Sequence, residues 1–195
     1  MSETEEFWRG DFGDSYLIRN RNVNWAARVP FWQQIIARTH ASSVLEVGCN
    51  IGANLRAIRK AAPEVETVGI DVNQSAIDEA SAAGLTVAVA SASDLSSLGK
   101  FDLVFSSGVL IHIAPDDLSN VMDNIIAASR EYVLAVEYAD ETEVEVPYRG
   151  HEGKLWRRPF GKLYEQKGLK IISSGPAPAD AFDNCFFWLF TKGES

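Results

Sequence analysis

Short apolar runs alternate along this chain with amphipathic helical segments, and this alternation limits the fold more than any other feature. Buried strands covered by helices on both faces are typical of a mostly parallel sheet. The order predicts an α/β fold with a doubly wound sheet. The predicted strands are Ser43–Gly48, Thr67–Asp71, Thr86–Val89, Phe101–Ser106 and Tyr132–Glu137, and the predicted helices are Pro30–His40, Asn54–Ala62, Gln74–Ala83 and Asp116–Ser129.

The C-terminal part of the chain departs from this alternation. Leu169–Ser173 and Cys185–Phe190 have the composition of strands. The segment between them is rich in Gly, Pro, Ala and Asp and shows no helical periodicity, so a loop without a helix is expected there. These two strands are predicted to form an antiparallel pair at the end of the sheet.

The N-terminal part mixes aromatic residues with glycines and acids and lacks clean periodicity. We expect residues 1–29 to form a lid or cap on a single domain that spans residues 30–195. Trp8, Phe12 and Tyr16 are spaced by four residues, which a buried helix face would also show. Both interpretations stay open at this point.

Composition excludes several classes of partner. The formal net charge of −9 is unfavourable for binding duplex nucleic acid or an anionic membrane. The acidic start Met1–Glu6 has no basic or apolar leader region, and the longest apolar runs are too short for a bilayer. Cys49 and Cys185 have no metal-ligand spacing and predict reduced thiols. We expect a cytoplasmic protein without a metal site, either a monomer or a homodimer.

A glycine-bearing loop follows the first predicted strand in the sequence Glu46-Val47-Gly48-Cys49-Asn50-Ile51-Gly52. Gly48 and Gly52 allow tight turning and leave no Cβ in the way of a ligand. The nicotinamide fingerprint G-x-G-x-x-G is not satisfied, because Asn50 stands at its second glycine. The loop alone is equally consistent with a ligand site and with an ordinary glycine-bearing turn, and it disfavours a dehydrogenase.

An acid at the end of the second strand favours the ligand site. Asp71 lies 19 residues beyond Gly52, close to the spacing of a ribose-binding acid in doubly wound folds. A carboxylate at that point can accept hydrogen bonds from both ribose hydroxyls. The alternative is an Asp that caps the following helix.

The acid and the G-x-x-x-G loop resemble the first motif of class I S-adenosylmethionine-dependent methyltransferases, over residues 40–137. Asn50 departs from the usual pattern at its middle glycine. The resemblance implies a Rossmann-like fold, S-adenosylmethionine as cofactor, and a contact from Asp94 to the adenine amino group, although Asp94 could instead cap its own turn. The candidate cofactor-binding residues in this region are Glu46, Gly48, Cys49, Asn50, Gly52, Asp71, Val72, Ser93, Asp94, Leu95 and Ser107.

Three further candidates follow from the same resemblance. His112, in the segment Ser106–Pro115, lies where the family often has a histidine near a proline. It is a candidate general base or substrate-orienting group because its ordinary pKa lies near neutrality, and a structural histidine is an equal alternative. In the predicted lid, Tyr16 and Arg19 are candidates for cofactor contact, with Arg19 pairing to the cofactor carboxylate.

Stretches at both ends of the chain narrow the resemblance. Glu6–Tyr16 with Arg19-Asn20, and Val146–His151 with Pro159–Gly161, resemble the methylases associated with pseudaminic acid biosynthesis. With these stretches the resemblance covers nearly the whole chain. The group's name does not establish a substrate.

A basic island stands out in this acidic chain, with seven Lys or Arg and two Glu between Arg149 and Lys170. Guanidinium groups bind carboxylates and phosphates bidentately. The candidate substrate-binding residues are Tyr148, Arg149, His151 and Arg157. Lys162, Lys167 and Lys170 are better explained as the solvated face of a helix.

The sequence thus predicts a methyltransferase that uses S-adenosylmethionine on a small, anionic acceptor. Methyl transfer from a sulfonium requires alignment in a closed pocket rather than a metal. One alternative is a protein that binds S-adenosylmethionine without catalysis, as a sensor or partner subunit. Another is a nicotinamide-dependent reductase, which the missing glycines disfavour.

Overall fold

The computed structural model describes residues 2–193. Met1, Glu194 and Ser195, which fall within the predicted domain bounds, lie outside the described residues. The strands are β1 (Ser43–Val47), β2 (Glu66–Asp71), β3 (Val87–Val89), β4 (Phe101–Ser107), β5 (Ser129–Glu137), β6 (Val144–Glu145), β7 (Trp156–Arg157), β8 (Lys170–Pro176) and β9 (Phe186–Thr191). The α-helices are α1 (Glu3–Arg9), α2 (Asp11–Asn20), α3 (Val29–Thr39), α4 (Ala53–Ala61), α5 (Gln74–Ala82), α6 (Pro115–Ala128), α7 (Phe160–Gln166) and α8 (Ala179–Phe182).

The central sheet has the strand order β3-β2-β1-β4-β5-β9-β8. Strands β1 to β5 pair in parallel, and β9 is antiparallel to both β5 and β8. The prediction of a doubly wound, mostly parallel sheet with a C-terminal antiparallel pair is confirmed. The order reverses beside β1, where β2 lies on one side and β4 on the other, and ligands bind at such a point in open α/β sheets.

Two hydrophobic cores lie on the two faces of the sheet. Successive residues of a strand point to opposite faces, so Val44 and Leu103 join one core while Leu45 and Val104 join the other. Helices α3, α4 and α8 cover the first face, and α6 and α7 cover the second. This packing explains why the central strands carry apolar residues on both of their faces.

Local sequence signals set several helix ends. Pro30 lies in the first turn of α3 and Pro115 in the first turn of α6, where the missing N–H costs no hydrogen bond. Asn73 caps α5, since its Oδ1 accepts a hydrogen bond from the Ala76 amide at 2.8 Å. His40 ends α3 in a left-handed conformation with φ of 50°.

Three regions differ from the sequence-based expectation. The N-terminal segment forms two helices, α1 and α2, because Ser2 caps the first and Gly10 separates them. The loop between β8 and β9, predicted to contain no helix, holds the four-residue α8, which buries Ala181 and Phe182. Strands β6 and β7 form an unpredicted hairpin outside the main sheet.

No helix within residues 2–193 has the length and apolar character needed to span a bilayer.

Candidate functional site

A cavity opens at the carboxyl ends of β1, β2 and β4, and helices α1 and α2 form its roof. The cavity is open to solvent on one side, and its lining combines residues of both roof helices with residues of the loops after β1, β2, β3 and β4. Ligands bind at this edge of the sheet in open α/β folds.

The glycine loop forms the floor of this cavity. Gly48, Asn50 and Gly52 have φ values of 74°, 47° and 76°, a left-handed region that favours glycine and tolerates asparagine. A Cβ on Gly48 would lie 2.4 Å from the side chain of Val109. The loop thus keeps its tight path because two of the three left-handed positions are glycine.

Asp71 holds the loop from the neighbouring strand. Its Oδ2 accepts a hydrogen bond from the Asn50 amide at 2.8 Å, and its Oδ1 accepts one from the Asn73 amide at 2.9 Å. Burial raises the pKa of this carboxyl, and hydrogen bonds from the backbone amides of Asn73, Asn50 and Val72 oppose the rise. Each carboxylate oxygen retains a free lone pair, so Asp71 can also accept hydrogen bonds from a ligand.

Glu46 is buried near the end of β1, and only one of its two carboxyl oxygens is hydrogen-bonded. Its Oε1 accepts from Asn54 Nδ2 at 2.7 Å, and Asn54 Oδ1 accepts from Arg28 Nη1 at 2.9 Å. Burial raises the pKa of Glu46 to about 8, although Asn54 and Arg28 oppose the rise. Glu46 Oε2 has no hydrogen-bond partner within residues 2–193. A buried oxygen in this state indicates a place for a ligand's hydrogen-bond donor.

His112 lies across the cavity on the 3₁₀ turn after β4 and is buried. Its Nδ1 lies 2.6 Å from the Lys154 carbonyl oxygen, which can only accept, so Nδ1 donates the hydrogen bond. Burial lowers the pKa of His112 to about 4. The ring is therefore neutral at pH 7 and its Nε2 carries a free lone pair.

Glu137 fixes the turn that carries His112. Its Oε1 accepts hydrogen bonds from Ser106 Oγ at 2.8 Å and from the Leu110 amide at 3.1 Å. Burial raises its pKa to about 7. Glu137 does not line the cavity and so acts on the site through the backbone of the turn.

The roof is attached at two points. At one end, Asn73 Nδ2 donates to Asp14 Oδ1 at 3.0 Å, and a Cβ on Gly13 would lie 1.9 Å from the Trp8 carbonyl oxygen. At the other end, Lys154 Nζ lies 2.9 Å from Glu3 Oε1. Helices α1 and α2 therefore lie across the cavity from the loop after β2 to the β6–β7 hairpin.

Aromatic rings join the roof to the inner wall and to the hairpin loop. The Trp8 ring lies 4.5 Å from the His112 ring and 5.2 Å from the Tyr16 ring, centroid to centroid. The Phe7 ring packs edge-on against His151 at 5.0 Å. Of these residues, Trp8, Tyr16 and His112 line the cavity.

The structure brings ten of the predicted site residues together around this cavity. These are Tyr16, Glu46, Gly48, Cys49, Asn50, Asp71, Val72, Ser93, Ser107 and His112.

Four predicted cofactor residues do not line the cavity. Arg19 is exposed, with its guanidinium 5.4 Å from the Phe12 ring centre. Gly52 and Leu95 are buried in the protein. Asp94 Oδ1 accepts hydrogen bonds from the amide and the hydroxyl of Ser96 at 3.0 and 2.7 Å, the geometry of a turn cap.

The four predicted substrate residues Tyr148, Arg149, His151 and Arg157 do not line the cavity either. Arg149, His151 and Arg157 are exposed, and the Tyr148 ring stands behind His112 at 4.9 Å. The hairpin turn directs the predicted basic group towards solvent rather than into the cavity.

The rest of the basic island is divided among structural roles. Buried Arg158 donates to Glu143 Oε2 at 2.6 Å and to the Leu110 carbonyl at 2.9 Å. The expectation that Lys162, Lys167 and Lys170 share a helix is wrong, because α7 ends at Gln166 and Lys170 lies on β8.

Sequence reasoning missed Arg28, Asn54 and Glu137. Arg28 and Asn54 line the cavity and connect to Glu46, while Glu137 supports His112. A buried Glu at the end of a predicted apolar strand was the one available signal for Glu137. Nothing in the local pattern marks Arg28.

Comparison with protein families matches residues 44–131 to a methyltransferase domain. Comparison with curated protein sequences gives no match. The structure resembles many solved structures at low sequence identity.

Three of these structural neighbours illustrate the likeness. The magnesium protoporphyrin IX methyltransferase of Synechocystis, with bound S-adenosylmethionine, has 14% identity and a TM-score of 0.70 over 99% of both chains. The 1,6-didemethyltoxoflavin N1-methyltransferase of Burkholderia thailandensis has 18% identity and a TM-score of 0.74, over 100% of this chain and 92% of the other. An S-adenosylmethionine-dependent methyltransferase of Clostridium acetobutylicum has 14% identity and a TM-score of 0.68, over 95% and 100%.

The match to a methyltransferase domain indicates a methyltransferase, and the architecture is the Rossmann-like fold that the chain shares with these structural neighbours. Its cofactor is S-adenosylmethionine.

Proposed function

We propose that this methyltransferase acts on a small molecule bound next to the cofactor, beneath α1 and α2. The observation that carries the proposal is a single cavity lined by the glycine loop, by Asp71 and by His112. Two structural neighbours with the same fold are named for small-molecule substrates, a porphyrin and a toxoflavin precursor, and they support a small-molecule acceptor.

The cavity fits S-adenosylmethionine at three points. Asp71, which lines the cavity beside the Gly48–Asn50 backbone, would accept hydrogen bonds from the ribose hydroxyls. Glu46 Oε2, buried without a partner within residues 2–193, suits the cofactor's amino group. Arg28 lines the cavity close to this network and suits the carboxylate, a role that sequence reasoning gave to Arg19.

The adenine end would lie between the loop after β3 and the start of α6. Ser93 and Asp117 line the cavity there, whereas Asp94 caps its own turn. We therefore propose that Ser93 or Asp117, rather than Asp94, contacts the adenine amino group.

His112 is the proposed catalytic residue. When bound, S-adenosylmethionine supplies an activated methyl group on a sulfonium. The neutral imidazole can accept a hydrogen bond at Nε2 from a hydroxyl or amine and take its proton as that atom becomes methylated. The Lys154 carbonyl holds the ring in this tautomer, and the roof limits access of water to the site.

The anionic character of the acceptor stays a prediction that the cavity does not support. Of the four residues predicted to bind it, none lines the cavity. Lys154 and Arg158 are engaged by Glu3 and Glu143.

The finer resemblance, to methylases associated with pseudaminic acid biosynthesis, is also kept as a proposal. Its support is that the two stretches that carry the resemblance pack against each other, with Phe7 on His151 and the Phe12 ring 5.9 Å from Tyr148. A cytoplasmic location, a biosynthetic role and a monomeric or homodimeric state are part of the same proposal.

Calorimetric titration with S-adenosylmethionine, S-adenosylhomocysteine and NADH, followed by transfer of a radiolabelled methyl group to a library of small metabolites, tests the function. We expect micromolar binding of the first two ligands, no binding of NADH, and turnover with at least one metabolite. Asp71→Ala should abolish cofactor binding and Arg149→Ala should preserve it. Equal loss in both variants would overturn this assignment of the cofactor site.

A further inference from the structure

We propose that the acceptor carries a positively charged amine that pairs with Glu5 on the roof of the cavity. This inference rests on the proposed function and deepens it, because it assigns a charge class to the second molecule in the cavity. It also differs from the anionic acceptor predicted from the basic island.

The charges that line the cavity are mostly negative. Among the described residues, Glu5, Glu46, Asp71 and Asp117 contribute carboxyl groups, while Arg28 is the one Lys or Arg side chain. S-adenosylmethionine, placed as proposed above, uses Glu46, Asp71 and Arg28. Asp117 lies at the proposed adenine end, so Glu5 is the one carboxyl group of the lining that the cofactor does not approach, and no Lys or Arg side chain of the lining is left to pair with it. A cation is attracted to such a space, and an anion is repelled from it.

Two unpartnered polar atoms lie on the same face of α1. Glu5 and Trp8 are three residues apart and therefore neighbours on the helix surface. Glu5 Oε1 and Trp8 Nε1 are buried and have no hydrogen-bond partner within residues 2–193, and both residues line the cavity. Buried polar atoms in folded proteins are nearly always hydrogen-bonded. This pair suits a ligand that donates a hydrogen bond to Glu5 Oε1 and accepts one from Trp8 Nε1.

The same face places the amine close to the catalytic histidine. The Trp8 ring lies 4.5 Å from the His112 ring, and Tyr16 packs edge-on against Trp8. Aromatic faces attract cations, tryptophan most strongly. An ammonium paired with Glu5 would therefore occupy the same cavity as the imidazole, with the Trp8 ring packed against His112.

The ammonium is a binding group and not the methylated atom, because it has no free lone pair. A second group of the acceptor, such as a hydroxyl or a ring nitrogen, faces His112 Nε2. That atom forms a bond to the methyl carbon while the carbon–sulfur bond breaks with its electron pair on sulfur. The proton of the acceptor group passes to Nε2 and then to solvent.

Matched amines and acids test the charge class directly. The probes are tyramine with hydroxyphenylacetate, tryptamine with indoleacetate, and histamine with imidazoleacetate, each titrated calorimetrically into protein saturated with S-adenosylhomocysteine. We expect at least one amine to bind about tenfold more tightly than its acid. Equal or tighter binding of the acids, or no binding of any amine, would overturn the proposal.

Two variants on α1 connect the preference to Glu5. Glu5→Gln should reduce the amine preference to less than threefold, and Glu6→Gln, on the exposed face of the same helix, should leave it unchanged. An amine preference that survives Glu5→Gln contradicts the assignment. Titration of both variants with S-adenosylhomocysteine alone shows that they are folded. A wild-type protein that does not bind S-adenosylhomocysteine would instead contradict the proposed function.

Discussion

Binding of the cofactor at pH 7 should release close to one proton, because Glu46 must ionise to pair with the cofactor's amino group. Burial raises the pKa of Glu46 to about 8, so about nine-tenths of this carboxyl is protonated at pH 7. An ammonium beside Glu46 Oε2 favours the charged form and lowers the pKa again. The affinity for S-adenosylhomocysteine should therefore rise about tenfold between pH 6 and pH 7, where the protonated form prevails.

The raised pKa also sets the pH dependence of stability in the cofactor-free protein. Between the ordinary value of 4.5 and about 8, folded Glu46 holds a proton that the unfolded chain has lost. The contribution of this group to the free energy of unfolding is therefore largest at low pH and decreases as the pH rises towards 8. Bound cofactor should weaken this trend, because its amino group stabilises the carboxylate and so lowers the pKa of Glu46 towards the ordinary value.

Calorimetry at pH 7 in phosphate and in Tris, two buffers with different ionisation enthalpies, measures the number of protons released. Glu46→Gln should release none and should bind S-adenosylhomocysteine about 10- to 100-fold more weakly, the range for a hydrogen bond to a charged group. Glu66→Gln, exposed on β2, is the matched control and should behave as wild type. Release of no proton by the wild type, or an unchanged release in Glu46→Gln, would refute the reasoning.

Three further substitutions test other parts of the site. Gly13→Ala should lower the free energy of unfolding by about 1–3 kcal/mol, because the added Cβ would lie 1.9 Å from the Trp8 carbonyl oxygen. The control Gly10→Ala should be tolerated, because its Cβ would have its nearest contact at 3.5 Å. Equal melting temperatures for the two variants would contradict this prediction. His112→Gln should lower kcat about 100-fold and change S-adenosylhomocysteine affinity less than twofold, and an unchanged kcat would exclude His112 as the base. Arg28→Met should weaken the binding of S-adenosylhomocysteine about tenfold or more but not the binding of adenosine, which lacks the carboxylate. The control Arg19→Met, at an exposed residue, should change the binding of neither ligand. A parallel loss of adenosine binding in Arg28→Met would assign Arg28 a purely structural role.

The sheet and the cofactor end of the cavity could be predicted because local sequence determines them. A parallel strand buried on both faces carries apolar residues on both faces, as Val44, Leu45 and Val47 do in β1, so its position is visible without knowledge of its neighbours. The left-handed turns at Gly48 and Gly52 also need particular residues at fixed positions. Asp71 follows from the same logic, since the carboxyl ends of parallel neighbours meet at one edge.

The remaining part of the site depends on contacts between distant residues. Arg28 reaches Asn54 across 26 positions, and Glu137 holds Ser106 across 31. Neither pair has a spacing that a helix or a hairpin would enforce. The basic island between Arg149 and Lys170 could not be resolved from the sequence for a similar reason. Its charge is visible in the sequence, but the burial of Arg158 and the exposure of Arg157 are not.

Lys154 connects the roof of the cavity to the histidine that we propose as the base. Its side chain pairs with Glu3 on the roof, and its own carbonyl sets the tautomer of His112. Displacement of the β6–β7 hairpin would therefore release the roof and free the imidazole to rotate in a single event. An open enzyme that has bound the cofactor but no acceptor would then lack an aligned base, which protects the methyl donor from wasteful reaction with water.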